Sequence, residues 1–404
     1  MANTFNLGNG NWAQKTEKLL AYNAENDNYK PLPFDFDRAS TATRVNKQGL
    51  IETVATDEPR IDFLNNSKGH LLLEPQRTNL VTYSEDLSQW VASSGIQLTS
   101  GQLGVGNSND AWKIQRSLAY DNIRSIISFT STSTVSVYAK KGSYNFLRIA
   151  ISGIAEQCYF DLENGVIGTT TNLISSDIKY INNDWYRCSM TFNNSSGTGV
   201  YIQPVETDGG IGNSGTGHIF VQYPQTEEGS YATSYIPTSG QSGGVTRSAE
   251  TCNNAGNSTV FNDSEGVLYV EALLKDTGTF KTVARITATD TSTSDGLWIY
   301  FRSDNKIQSV LRVGGVDQTS ILSNTQTTNE YYKVAFKYKQ NDFALWVNGT
   351  EVAPDTSGNT FSADTLSKLG FILSTDINPF IGNVKDVRVY NTALTDAELI
   401  ALTS

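Results

Sequence analysis

Residues 331–352, YYKVAFKYKQNDFALWVNGTEV, read as a β-hairpin on a half-buried sheet. Asn348-Gly349 is the strongest short hairpin signal, because a type I′ turn needs positive φ at both central positions. Along FALWVNG, Phe343, Leu345 and Val347 share one face and Trp346 stands on the other, since strand side chains alternate. Working outward, the same period appears in GVLYVEALL (266–274), TVARITA (282–288), IQSVLRV (307–313), LGFILS (369–374) and GNVKDVRVY (382–390). In GLWIYFR (296–302), Leu297, Ile299 and Phe301 point inward, leaving Trp298 and Tyr300 on the opposite face. The chain closes with TALTDAELIALTS, where Thr395 and Glu398 have capping-box spacing and predict a short helix over Leu394, Leu399 and Ile400.

Upstream, residues 80–240 run strand after strand: RSIISFT, TVSVYAKKG, NFLRIAIS, CYFDLENGVI, WYRCSMTF, GVYIQPV and HIFVQYPQ. Turn signals recur between them at Lys141-Gly142, Glu163-Asn164-Gly165 and Ser195-Ser196-Gly197. About eight short antiparallel strands at this spacing predict a β-sandwich of jelly-roll type. The Ser-, Gly- and Asn-rich stretch TSYIPTSGQSGGVTRSAETCNNAGNS then breaks the pattern and marks a boundary. At the front, TEKLLAYNA (16–24) predicts about two helical turns. Hairpins follow: Phe34 and Phe36 alternate with Asp35 and Asp37, Val45 and Val54 flank a turn at Lys47-Gln48-Gly49, and Ile61 and Leu71 flank one at 65–69. Isolated hairpins bury too little surface to stand alone, so this segment is expected to dock on something. The expected organisation is all-β: an attachment segment (1–80), a jelly-roll sandwich (81–240), a linker (241–259) and a second sandwich (260–404).

Composition agrees and excludes other classes. The 404 residues include 35 Asn, 40 Ser and 44 Thr, together 119, suiting turns and wettable strands. A net charge of −11 without a basic block argues against nucleic acid as partner. No apolar run is long enough to span a bilayer, and MANTFNLGNG has no signal-peptide pattern, so synthesis in a cytoplasm without membrane insertion is expected. Cys158, Cys188 and Cys252 form neither a disulfide framework nor a zinc motif.

Two resemblances add to this reading. FDFDRASTATRVNKQGLIETVATDEPRIDF (34–63) followed by LLLEPQRTNLVTYSEDLSQW (71–90) resembles the front of many phage virion appendage proteins, and GSYATSYIPTSGQSGGVTRSAE (229–250) resembles the end of the sandwich in phage head spike fibre-like proteins. The YYKVAFKYKQNDFALWVNGTEV hairpin with GNVKDVRVYNTALTDAELIAL (382–402) resembles the laminin G-like, concanavalin A-like lectin/glucanase sandwich. Together they imply a structural phage surface protein, a head fibre or spike or a tail appendage. It would attach to other virion proteins (capsid, portal or tail) by its N-terminus, with Trp12, Phe34 and Phe36 as docking residues. A homo-oligomer, as a trimer in many fibres, follows from the resemblance alone, as no heptad seam is present.

For function at the outer sandwich, glycan binding is the leading expectation. The outward aromatics Trp298, Tyr300 and Trp346 would offer a platform for sugar C–H faces. A polysaccharide depolymerase and a purely structural decoration protein stand as alternatives. No catalytic motif is present: the Glu-x-Asp-x-x-Glu element of concanavalin A-like glucanases is missing, Glu265 and Glu271 read as solvated strand ends, and residues 251–404 contain no histidine for the lyase chemistry of this fold. His70 and His218 read as structural. No cofactor is expected. Calcium, which some laminin G-like domains bind, has only the turn aspartates Asp290, Asp295 and Asp376 to draw on, in no defined motif.

Overall fold

The computed structural model describes residues 5–15, 18–23, 27–29, 33–193, 196–212, 215–274, 281–289, 292–371 and 380–404. The chain divides into two units, one made of residues 42–53 and 76–248, the other of 1–41, 54–75 and 249–404. The fold is almost wholly β, with one α-helix, Asp396–Thr403, among the described residues.

The unit of 42–53 and 76–248 is a jelly roll. Eight of its strands form the core of two sheets: Ala111–Arg116, Ile123–Ile126, Thr132–Lys141, Phe146–Ile151, Gln157–Asp161, Trp185–Asn193, Gly199–Val205 and Gly217–Glu228. The first pairs with the eighth, the eighth with the third and the third with the sixth; in the other sheet the second pairs with the seventh, the seventh with the fourth and the fourth with the fifth. That is the double Greek key expected from the turn spacing. Val135, Val137, Ile149, Phe160, Met190 and Ile202 are buried together between the sheets. The outer face of the Thr132–Lys141 strand is buried too, unlike a half-exposed strand. Tyr138 meets Tyr223 edge-on at 6.2 Å, and Tyr235 stacks on Tyr223 at 4.2 Å. Tyr235 belongs to the segment TSYIPT, which is pinned across this face by Thr233 N–H to Glu227 Oε1 (2.7 Å) and Ile236 N–H to Gln225 Oε1 (2.7 Å). The hairpin of Ala42–Val45 and Ile51–Val54 forms as its turn residues indicate.

The other unit is a sandwich built from both ends of the chain. Its larger sheet runs from the hairpin Phe343–Val347 and Thr350–Asp355 through Glu330–Lys339 and Glu265–Leu274 to Gly382–Tyr390. The facing sheet comprises Lys281–Thr287, Gly296–Phe301, Lys306–Val313, Val316–Thr325 and Lys368–Gly370. Leu268, Val270, Phe336, Leu345 and Val387 from one sheet bury against Leu297, Ile299 and Leu311 from the other. The hairpin turn is as read: Asn348 and Gly349 have φ of 46° and 78°, and Val347 pairs with Thr350.

The N-terminal segment does not stand apart. Two of its strands continue the larger sheet by pairing with one long strand, Phe5–Gly8 against Asp386–Val389 and His70–Leu73 against Gly382–Val384. Phe34–Asp37 pairs with Thr251–Asn253, so the expected 241–259 linker contains sheet; its other strand, Val245–Arg247, pairs with Arg77–Asn79 inside the jelly-roll unit. TEKLLAYNA is not helical: Lys18–Leu20 and Tyr22–Asn23 are strands, with Lys18 and Leu19 registered on Asp35 and Phe34. Burial of Leu19 in the core outweighs a helix too short to sustain itself.

A buried charge cluster joins the three stretches of this unit. The Arg38 guanidinium donates to Glu250 Oε1 (2.8 Å), Arg60 Nε to the same oxygen (2.7 Å), and Arg60 Nη2 to Glu74 Oε2 (2.9 Å) and to Glu250 Oε2. Glu250 Oε2 also accepts the Glu74 N–H at 2.8 Å. Two guanidinium and two carboxylate groups thus balance in a site closed to solvent.

Candidate functional site

The long strand Gly382–Tyr390 carries an irregularity that builds the site. Opposite it, Glu271 pairs with Asp386 but Ala272 pairs with Val384, so Lys385 is one residue extra. A bulge of this kind turns two successive side chains to one face. Val384, Val387 and Val389 can then all enter the core, while both Lys385 and Asp386 line the outer face. Lys385 also falls where the two N-terminal strands part, between the Asp386–Val389 and Gly382–Val384 registers. Gly8 closes that gap tightly: a Cβ there would sit 2.2 Å from the Lys385 carbonyl oxygen, and its φ is +103°.

A cleft of about 460 Å³ opens over this bulge. Its walls are Tyr269 and Glu271, Lys333, the trio Lys385, Asp386 and Arg388, the turn residues Asn9, Asn66 and Lys68, and the end of the C-terminal helix at Leu402. Four cationic side chains (Lys68, Lys333, Lys385, Arg388) face two carboxylates (Glu271, Asp386), in a chain whose net charge is −11. Lys385 Nζ lies 3.5 Å from the Tyr331 ring centroid and 3.4 Å from Glu271 Oε1. Lys68 Nζ donates to Asn9 Oδ1 at 2.7 Å, and Lys333 Nζ donates to the Ser404 carbonyl oxygen. The Arg388 guanidinium stands 5.5 Å over Tyr269 and donates to Asp386 Oδ2 at 2.6 Å. Asp386 is 2% exposed, yet its Oδ1 has no hydrogen-bond partner, and neither has Arg388 Nε. Burial pushes the Asp386 carboxyl up to about 6; Glu271 adds to the rise, while Arg388 and Lys68 oppose it.

None of the aromatics expected to form a platform lines this cleft. Trp298 and Tyr300 do face away from the core, but they are buried at 1% and 8% exposure and pack with Val310. Trp346 is 5% exposed beneath the helix Asp396–Thr403, against Leu399, Leu402, Tyr390 and Ala335. Alternation placed these residues on the right face; the cover over them makes them core. Within the helix, Glu398 accepts the Thr395 N–H at 2.9 Å as the capping box requires, and Leu394 and Leu399 are buried, but Ile400 is exposed.

The expected docking residues are interior as well. Phe34 sits 5.4 Å from Phe371, stacked, and 5.8 Å from Phe5, edge-on; Phe36 is buried beside the Arg38 guanidinium. Trp12 is half-buried and donates from Nε1 to the Lys68 carbonyl at 2.8 Å, which holds one wall of the cleft. Glu265 and Glu271 pair with Lys339 (3.2 Å) and Lys385 rather than with each other. His70 is buried against Asn383 (2.8 Å), and His218 meets Ser143 Oγ at 3.0 Å. The three cysteines are buried and unpaired, with burial raising each thiol's pKa. Asp295 accepts the Gly314 N–H at 2.8 Å in a turn; Asp290 and Asp376 lie outside the described residues. Among the described residues, no three His, Cys, Asp or Glu side chains are grouped to hold a metal ion, and no helix is long and apolar enough to cross a membrane.

A family model described as the concanavalin A-like lectin/glucanases superfamily matches residues 274–400. Residues 274–400 are a concanavalin A-like lectin/glucanase domain. That laminin G-like domain supplies Lys333, Lys385, Asp386 and Arg388, while residues outside the match complete the cleft. No curated protein matches the chain. Similar solved structures include the CBM40 domain of the Ruminococcus gnavus IT-sialidase bound to α2,3-sialyllactose, 19% identical, with a TM-score of 0.32, covering 36% of this chain and 85% of that one. Domain 4 of the arabinanase AbnA of Geobacillus stearothermophilus, in complex with arabinotriose, is 15% identical, with a TM-score of 0.31 and coverage of 39% and 73%. The SAP-like pentraxin of Limulus polyphemus is 14% identical, with a TM-score of 0.30 and coverage of 35% and 70%.

The missed residues had one trace in the sequence. In GNVKDVRVY, strict alternation sets Val384 on one face and Val387 and Val389 on the other; only a bulge lets all three valines share the core.

Proposed function

We propose that the protein is a non-catalytic glycan-binding protein carried on the surface of a phage particle, with the cleft around Lys385 as its saccharide site. The observation that carries glycan binding is that cleft: hydrogen-bonding groups of both polarities, with the tyrosine Tyr269, converge on a concave site of the concanavalin A-like domain. Saccharide recognition uses such groups, planar amides, carboxylates and guanidinium forks selecting hydroxyl patterns. The virion location rests on the resemblance of 34–63, 71–90 and 229–250. Partners would then be other virion proteins, further copies of the chain and a host-surface glycan. With Phe34 and Phe36 interior, attachment falls to other surfaces.

The test is a glycan array and a host-polysaccharide digest with the purified full chain. Retention of a defined glycan without release of oligosaccharide supports the reading. Release of oligosaccharide would establish a depolymerase instead, and an array with nothing retained would leave a structural decoration protein.

A further inference from the structure

Resting on that reading, we infer that the cleft selects an acidic saccharide, with its anionic group held by Lys333 and Lys385.

Three observations converge on this ligand class. First, the lining side chains carry a two-charge excess of cations (Lys68, Lys333, Lys385 and Arg388 against Glu271 and Asp386), where the whole chain is acidic. A local reversal of sign in a concave site concentrates anions. Second, these cations are held in position rather than simply solvated: the bulge turns Lys385 into the cleft, and Tyr331 lies under its ammonium. Third, the lining sets the Glu271 and Asp386 carboxylates beside those cations, acceptors that suit hydroxyl donors. A bare anion such as phosphate would satisfy the cations and repel Asp386. A neutral sugar would satisfy Asp386 and leave the cationic excess without purpose. A saccharide bearing both hydroxyl groups and a carboxylate or sulfate answers both demands.

The experiment is calorimetric titration of the full chain with three probes of equal length: a heparin-derived oligosaccharide, an oligogalacturonate and a dextran-derived oligosaccharide. Expected is binding of the sulfated or the carboxylated probe at least about tenfold tighter than the neutral one, and which of the two binds identifies the anionic group. Lys333→Gln with Lys385→Gln should lose about tenfold or more, while Lys47→Gln with Lys179→Gln, exposed cations of the jelly-roll unit, should change nothing. Circular dichroism melting checks that the variants fold. Should the double variant fail to fold, the salt dependence of the wild type decides: affinity for the acidic probe should fall steeply with ionic strength. Equal affinity for acidic and neutral probes, unchanged affinity in the Lys333/Lys385 variant, salt-independent binding, or no binding of any of the three would overturn the inference. A glycan array retaining only neutral glycans overturns the inference alone. An array retaining nothing overturns the glycan-binding reading itself.

Discussion

The sandwich unit holds two clusters of charge that differ in one respect. Around Glu250, two guanidinium and two carboxylate groups are sealed from solvent, and both Glu250 oxygens are bonded. Around Asp386, a buried carboxylate pairs with the half-buried Arg388, but one carboxylate oxygen and one guanidinium nitrogen have no partner. Closed clusters of the first kind specify which segments come together, here 38, 60, 74 and 250 from three separate stretches of the chain. A buried cluster left open lacks the bonds that close the first kind and holds its segments less firmly. The contrast separates residues that close the fold from residues that line the cleft, and each substitution below acts on one side of it.

The largest effect belongs to the closed cluster. Glu250→Ala strands two buried guanidinium groups and should cost about 5 kcal/mol in urea unfolding. A cost under about 1 kcal/mol would mean that water reaches the cluster and the contrast fails. Next is Trp346→Ala, which empties the space beneath the C-terminal helix and should cost about 3 kcal/mol. Glycan affinity measured well below the melting temperature should survive it, because Trp346 is core and not platform. Selective loss of binding with unchanged stability would restore the aromatic-platform reading.

What the sequence disclosed follows the range of the interactions. The type I′ turn at Asn348-Gly349, the Glu398 capping box and the eight jelly-roll strands are local, and each was legible from spacing alone. The pairing of Phe5–Gly8 with Asp386–Val389 joins opposite ends of the chain, and nothing local announces it. A segment that read as detached hairpins therefore became an extension of the concanavalin A-like sheet. Similarly, alternation told which face Trp346 occupies but not that a helix 50 residues later would cover that face. At the cleft, Lys333 and Arg388 look like ordinary solvated strand positions. Only the Lys385 bulge, visible in hindsight as three valines out of phase, marks the site.

On the open side, Lys333→Gln with Lys385→Gln should leave stability within about 0.5 kcal/mol, since both ammonium groups sit at the rim of solvent. Chemical denaturation beside calorimetry reads both quantities at once. Loss of stability comparable to Glu250→Ala would show that the cleft is a second structural cluster and erase the distinction.

A titration sharpens the contrast most. Asp386 is raised from an ordinary 3.8 to about 6 by burial, against the opposing pull of Arg388 and Lys68 and with the help of Glu271. Tyr269, Lys333 and Lys385 line the same cleft. Because the folded-state value is the higher one, the native protein binds the proton first. Stability from this group therefore rises as pH falls from about 7 to about 4 and is lost as pH rises through about 6. The gain is on the order of 2 kcal/mol. Comparing wild type with Asp386→Asn across that range isolates it from the other carboxylates, since the amide oxygen can still accept from Arg388. The same pH profile of stability in wild type and Asp386→Asn would show that Asp386 gains nothing from its burial and would erase the contrast.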